Sequence, residues 1–278
     1  MRIWCCLILL FALQMNALPA FAQYEDEEGD GIRSQFGYER GMALGFGGVY
    51  QTVQDQAISP LIYSGLGYSP LLNFTKNKAG RYAEVRMQAS FSKLKNTEYP
   101  DLSERIKSIR AVIDYRQMFR FTAIRNERYQ TFAGGMLSGQ FSYRNAPQLA
   151  GSASAYDYAT TLGLAGRITK KSAIKDRDGL LAIDIAIPVL AVVARPGYLN
   201  RTTALEETKL KFGDYLSTTE AGFFSKFLRL NTRVSYTYPL TNGNALGFGY
   251  SWDYHQVNHK SEAKLAEHTL FMFLMFNY

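Results

Sequence analysis

Residues 270–278 read LFMFLMFNY, and eight of these nine residues are apolar or aromatic while none is charged. The whole sequence is only 47% hydrophobic, so this density is a local feature. Side chains alternate between the two faces of an extended strand. If this strand crosses a membrane, its lipid face carries Leu270, Met272, Leu274, Phe276 and Tyr278. Its opposite face carries Phe271, Phe273 and Met275.

Apolar and polar residues also alternate in residues 83–91, 109–116, 228–238 and 246–255. Alternation with a period of two indicates β-strands. A soluble barrel or sandwich alternates as well, so the pattern alone leaves both classes open. Several of these segments run nine to twelve residues and several end in aromatic clusters. Such lengths and aromatic ends are typical of strands that cross a bilayer, so they favour a membrane barrel.

The N-terminal residues 1–22 have the organisation of a secretory signal peptide. Arg2 is followed by an apolar core and then by Ala20-Phe21-Ala22, the small-x-small pattern of a cleavage site. A membrane anchor is the alternative, but the apolar run is shorter than the roughly 20 residues that a spanning helix needs. We therefore predict a cleaved signal peptide over 1–22, an acidic periplasmic leader over 23–37 and an outer-membrane β-barrel domain over 38–278.

The composition argues against several other classes of protein. Cys5 and Cys6 are the only cysteines and lie in the predicted signal peptide, so the rest of the chain has neither disulfides nor thiolate metal ligands. Three histidines make a histidine-rich metal site improbable, and the formal net charge of +7 is spread along the chain. We expect no metal, no cofactor and no nucleic-acid partner.

The fold that we predict is all-β: a transmembrane antiparallel up-and-down β-barrel of about ten strands, with eight to twelve as the accepted range. Asn242-Gly243 marks a tight hairpin turn, and short connections alternate with long ones, as in outer-membrane barrels with periplasmic termini. The predicted strands are residues 38–51, 61–75, 80–93, 105–121, 128–144, 157–171, 179–195, 226–239, 244–256 and 268–278. The loops expected to face outward are residues 52–60, 94–104, 145–156, 196–225 and 257–267.

Closure requires the last predicted strand to pair with the first, because an open edge in lipid leaves backbone groups unsatisfied. The first strand presents small residues, including Gly45 and Gly47, on one face. The strand before the last offers Gly247 and Gly249. We expect these glycines to flank the bulky inward side chains of residues 270–278 on both sides.

The C-terminal stretch resembles the C-terminal signature of bacterial outer-membrane β-barrels, which their assembly machinery recognises. The resemblance assigns Leu274, Phe276 and Tyr278 as the assembly signal. At the last position this sequence has Tyr278, where phenylalanine is commoner in such barrels. The tyrosine-rich, cysteine-free strands are similar to those of Bacteroidota barrels. The resemblance implies outer-membrane lipids and the barrel assembly machinery as partners.

The inward face of the predicted strands carries long charged side chains of both signs. A barrel of about ten strands leaves little room inside, and unpaired charges are costly in a lumen screened from water. We therefore predict a paired lumen network. Its members are Glu84, Arg86, Arg110, Asp114, Arg116, Arg229 and Arg233. The alternative is a hydrated channel that these residues line without meeting.

Two short motifs resemble catalytic ones. His259 and Ser261 have the His-x-Ser spacing of outer-membrane lipid hydrolases, but the third polar group of those families would fall near Phe273. Asp253 and His255 resemble the Asp-x-His half of omptin proteases, whose aspartate pair has no match here.

The function that we expect is therefore non-enzymatic: an outer-membrane barrel with a narrow or plugged lumen, serving as a subunit of an envelope complex or as a passage for small solutes. The alternative is an outer-membrane enzyme acting on envelope lipid or surface peptide.

Replacing Phe276 and Tyr278 by aspartate should prevent membrane assembly, because the assembly signal and the lipid face of the last strand are both lost. The measurement is the amount of protein in the outer-membrane fraction after cell lysis. Recovery of the variant at the unmodified level would contradict the assignment of this signal.

Overall fold

A computed structural model describes residues 40–78, 80–99, 101, 105–121, 129–148, 154–174, 177–195, 219–223, 226–259 and 261–277. The predicted signal peptide and the acidic leader lie outside these residues. Within the described part of the chain, no helix is long and apolar enough to cross a membrane.

The described part of the chain contains eleven β-strands. They are β1 Arg40–Asp55, β2 Ser59–Lys78, β3 Arg81–Asn96, β4 Arg105–Arg120, β5 Tyr129–Asn145, β6 Ser154–Ile174, β7 Arg177–Ala194, β8 Thr219–Gly222, β9 Phe227–Pro239, β10 Ala245–His259 and β11 Ser261–Asn277.

Ten of these strands form a closed antiparallel barrel. Each strand from β1 to β7 pairs with the next, β7 pairs with β9, and β9, β10 and β11 continue the ring. The first and last strands pair over their full length, from Gly41 opposite Asn277 to Asp55 opposite Ala263. The predicted ten-strand barrel is therefore confirmed. Its closure pairs the backbone groups of the first and last strands with each other within the sheet.

The strands run further than the sequence predicted. Residues 257–267 were expected to form a loop, and this was wrong: β10 and β11 continue as a hairpin in which His259 lies opposite Ser261. Polar cross-strand contacts hold this extension, since Gln256 donates a hydrogen bond of 2.7 Å to Glu262. In this extension the apolar Ala263 and Leu265 are buried inside the barrel, the reverse of the lipid-facing alternation by which the strands were predicted. The four-residue β8, which pairs with Ala191–Ala194 of β7, was also missed.

The outer surface of the barrel is apolar. Leu66, Leu164 and Leu270 are 67 to 74% exposed. Many other large apolar side chains on this surface are exposed to a lesser degree. Aromatic rings stack across the strands on this face, with the ring centroids of Phe46 and Tyr68 5.9 Å apart. A continuous exposed apolar belt of this extent matches a lipid environment and not water.

Glycines admit the bulky inward residues of β11 at the seam. Phe273 lies opposite Gly45 of β1 and Gly247 of β10, and Phe271 lies opposite Gly47 and Gly249 in the same way. A Cβ atom on Gly47 would stand 2.6 Å from the carbonyl oxygen of Leu270. The predicted fit of large and small residues is confirmed.

Two adjacent glycines of β1 provide a matched test of this seam. Gly47 points inward against backbone, whereas a Cβ atom on Gly48 would meet nothing within 4 Å. We expect Gly47→Val to lower the free energy of unfolding by about 1–3 kcal/mol through overpacking. Gly48→Val should change it by less than about 0.5 kcal/mol. Urea unfolding of the refolded barrel in lipid vesicles measures both, and equal losses would contradict this account of the seam.

Candidate functional site: the barrel interior

The barrel interior is lined by the polar face of each strand, because the apolar face contacts lipid. All seven residues of the predicted lumen network point inward and are between 1% and 6% exposed. The same space contains further charged residues that the sequence analysis did not include in this network: Asp55, Arg144, Asp157, Arg167, Asp184, Arg195, Asp253 and Glu267. Apart from Arg86, these side chains form three tiers along the barrel.

The middle tier is centred on Arg229 of β9. Its guanidinium group contacts Asp114 at 3.1 Å and Asp253 at 2.6 Å. It also donates a hydrogen bond of 2.6 Å to the hydroxyl of Ser138. Arg116 lies 3.7 Å from the carboxylate of Asp114. One arginine therefore links β4, β5, β9 and β10 across the lumen.

A second arginine extends the middle tier to the last strand. Arg110 contacts Asp253 at 3.0 Å and Glu267 at 3.4 Å. The carboxylate of Glu267 also accepts hydrogen bonds from Ser90 at 2.7 Å and from Gln51 at 3.1 Å. The tier thus reaches from β4 to β1 and β11, and its carboxylates are satisfied by charged and neutral donors together.

The terminal-side tier lies nearer the rim at which β1 begins and β11 ends. Arg233 contacts Glu84 at 2.8 Å and Asp184 at 3.0 Å. Arg167 contacts the other oxygen of Asp184 at 3.1 Å and donates a hydrogen bond of 2.9 Å to the hydroxyl of Tyr82. Its guanidinium group also stacks 4.3 Å above the Tyr82 ring.

The loop-side tier is a square of two arginines and two aspartates. Arg144 contacts Asp55 at 2.6 Å, and Arg195 contacts Asp157 at 3.4 Å. The other two sides of the square, Arg144 with Asp157 and Arg195 with Asp55, are also ion pairs. Apolar side chains form a cap at this end of the barrel: Val53, Ile58, Tyr63, Leu94, Ile106, Ala146, Ala155 and Leu265.

Arg86 is the exception in the interior. No carboxylate of the described residues lies within 4 Å of its guanidinium group. It donates a hydrogen bond of 3.0 Å to Gln88 and lies 4.9 Å from the centre of the Phe271 ring. Arg86 therefore belongs to the lumen but is not neutralised by the tiers on either side.

Two cavities lie inside the barrel. The larger has a volume of about 110 Å³ and is bounded by the terminal-side tier, by Arg86 and by Phe271 and Phe273 of β11. The smaller, between the middle and terminal-side tiers, has about 10 Å³. That is close to the space of a single water molecule.

Of the four catalytic candidates, the described residues Asp253 and His255 are enclosed in the barrel interior. Asp253 and His255 point inward, His255 is 0% exposed, and neither of its ring nitrogens has a hydrogen-bond partner among the described residues. The hydroxyl of Ser261 accepts a hydrogen bond of 3.0 Å from Arg195. The side chain of His259 lies outside the described part. Strand alternation explains the placement of Asp253 and His255, because it turns both into the closed lumen.

Only some of the interior charged residues that the sequence analysis missed have a sequence feature that could have revealed them. Asp184 is the one charge within the apolar run LLAIDIAIPVL, residues 180–190, which marks an inward position on a strand that otherwise contacts lipid. Arg195 follows the end of β7 directly and carries no such feature. Glu267 and Asp55 fell in segments that were predicted to be loops.

Comparisons with solved structures identify the fold. The outer membrane protease OmpT from Escherichia coli is similar with a TM-score of 0.53 and 4% identity, over 91% of this chain and 99% of that chain. The transport unit of the autotransporter AIDA-I from Escherichia coli gives a TM-score of 0.41 and 7% identity, over 96% and 97%. The translocator domain of the autotransporter NalP from Neisseria meningitidis gives 0.37 and 9%, over 96% and 95%.

The fold is that of a bacterial outer-membrane β-barrel, and at 4% identity the likeness to OmpT extends to the fold alone. No protein-family model matches the sequence, and no curated protein sequence matches it.

The chemistry available inside the barrel is that of charge pairing. Carboxylates and guanidinium groups satisfy one another in fixed geometry, and the described residues include no group of three or more side chains suited to hold a metal ion. The arrangement can link distant strands, and it can hold an anion at Arg86, which has no carboxylate partner among the described residues.

Proposed function

We propose that this protein is a plugged, non-enzymatic barrel of the outer membrane that serves as a component of the cell envelope, most readily as a subunit of a larger assembly. The observation that carries the proposal is the stack of three ion-pair tiers that bridges opposite walls of the barrel. Ten strands leave limited space, and here that space is occupied by long side chains that bind one another.

The tiers resist opening for an energetic reason. Removing one partner of a buried ion pair costs about 3–5 kcal/mol, because the other charge is left uncompensated. A solute crossing the lumen would have to separate several such pairs in succession. Arg229 alone would have to leave Asp114, Asp253 and Ser138. The alternative role as a small-solute passage is therefore less well supported than a closed barrel.

The exterior supports outer-membrane lipids as partners. Lys93 lies opposite Lys107, and Lys95 lies opposite Arg105, in a cluster of exposed outward-facing cations above the apolar belt. Like charges directly opposite each other are destabilising. Anionic headgroups at this level would offset that cost. The barrel assembly machinery remains a proposed partner on the strength of the C-terminal signal, and the tyrosine-rich strands support a Bacteroidota-type envelope.

The enzymatic alternative has no specific support in the described interior. Asp253 is engaged by Arg110 and Arg229, and His255 is enclosed. A protease or a lipid hydrolase needs its nucleophile or activated water where substrate can reach it.

Conductance tests the closed lumen. The unmodified protein in planar lipid bilayers should show no steady current or only a low one, because the tiers block the lumen. Arg233→Ala and Arg110→Ala each remove a bridge and should open a leak or destabilise the barrel. Lys93→Ala changes the same charge on the outer surface and should behave as the unmodified protein. Large, steady single-channel currents from the unmodified protein would contradict the proposal.

Orientation is a further part of the proposal, with both chain ends in the periplasm. Glu98 and Gln148 are exposed at the loop-side rim and serve as reporters of this side. Cysteines introduced singly at these two positions should react with a membrane-impermeant maleimide on intact cells. Cysteines at Lys78 or Asn242, on the opposite rim, should react only after the outer membrane is permeabilised. The reverse pattern would invert the topology.

A further inference from the structure

The charges described inside the barrel do not balance. The three tiers and Arg86 together contain eight arginines and seven carboxylates. Every one of these arginines except Arg86 has a carboxylate within 4 Å among the described residues. The excess positive charge is therefore localised at a side chain that is 6% exposed.

The neighbouring carboxylates are already engaged elsewhere. Asp114 lies directly opposite Arg86 in the pairing of β3 and β4, but its carboxylate contacts Arg229 and Arg116. Glu84, two residues before Arg86 on the same face, is held by Arg233. Because both candidates are bound by other arginines, Arg86 is left as a cation without a counterion in the described interior.

Arg86 lies at the wall of the larger cavity. The cavity has a volume of about 110 Å³ and is situated on the terminal side of the barrel. Leu71, Phe273 and Met275 form an apolar part of its lining, and Asn73 and Thr75 contribute polar groups. This volume is smaller than that of an engineered apolar cavity of roughly 150 Å³ that admits benzene, so the space suits a short-chain ligand smaller than a benzene ring with a substituent.

We propose that this cavity is a binding site for a small organic monocarboxylate. The carboxylate would accept hydrogen bonds from the guanidinium group of Arg86, whose planar fork of donors matches two carboxylate oxygens. The apolar body would lie against Leu71 and Phe273. A single negative charge on the ligand neutralises the single excess charge of the interior, which favours a monoanion over a dianion. This inference rests on the interior geometry and does not depend on whether the lumen conducts.

Butyrate is the probe, and 1-butanol is its uncharged counterpart of similar shape. Isothermal titration calorimetry on the full chain in phosphatidylcholine nanodiscs, at constant ionic strength, should show saturable binding of butyrate. 1-Butanol should bind at least about tenfold more weakly, because it cannot form the charged hydrogen bonds to Arg86.

Two variants address the cation and the space separately. Arg86→Gln should weaken butyrate binding by about tenfold or more while leaving the weak binding of 1-butanol unchanged. Ser235→Phe places a ring into the cavity lining without altering Arg86 and should abolish the binding of both probes. Lys93→Gln removes one positive charge from the outer surface and should leave butyrate binding within about twofold of the unmodified protein.

Three results would overturn the proposal: no butyrate binding by the unmodified protein, equal binding of butyrate and 1-butanol, or an unchanged butyrate affinity in Arg86→Gln. If Arg86→Gln does not fold, the comparison of the two probes on the unmodified protein and the result for Ser235→Phe decide the matter.

Discussion

Backbone hydrogen bonding in lipid is the constraint on which the rest of this structure depends. A strand that crosses a bilayer has no water for its amide and carbonyl groups, so every strand needs a neighbour on both sides. Here β1 and β11 meet this requirement by pairing with each other, in a continuous register from Gly41 opposite Asn277 to Asp55 opposite Ala263. The glycines at positions 45, 47, 247 and 249 allow this pairing while the last strand keeps aromatic side chains on its inner face.

Closure then determines the chemistry of the interior. Because the outer face must be apolar where it meets lipid, the charged residues of this span are turned into a space screened from solvent, where an isolated charge is costly. The arginines and carboxylates therefore stabilise the protein only as partners. The tiers connect strands that are not neighbours in the sheet, as Arg229 of β9 does with Asp114 of β4, so they brace the barrel across its width while filling it.

The strands were predictable because their apolar residues recur with a period of two. The pairing of β11 with its neighbours was predictable because the bulky residues of β11 match glycines in β1 and β10. The inward direction of Arg110 or Asp114 followed from the same alternation. Their partners could not be inferred, since contacts across the lumen depend on the relative height of distant strands. The extension of β10 to His259 and of β11 from Ser261 was missed, because its apolar residues Ala263 and Leu265 point inward and its polar residues Glu262 and Lys264 point outward, the reverse of the lipid-facing pattern.

The central claim is that the buried charges act as one coupled network. The loop-side square offers the most direct measurement, a double-mutant cycle with Arg144→Met, Asp157→Leu and both together, monitored by urea unfolding in lipid vesicles. Each single change leaves a buried charge uncompensated, whereas the double change removes both partners of one pair. We predict that the double variant loses less stability than the two single losses combined, by about 1–3 kcal/mol. Losses that add to within about 0.5 kcal/mol would show that the two groups act independently and would contradict the account.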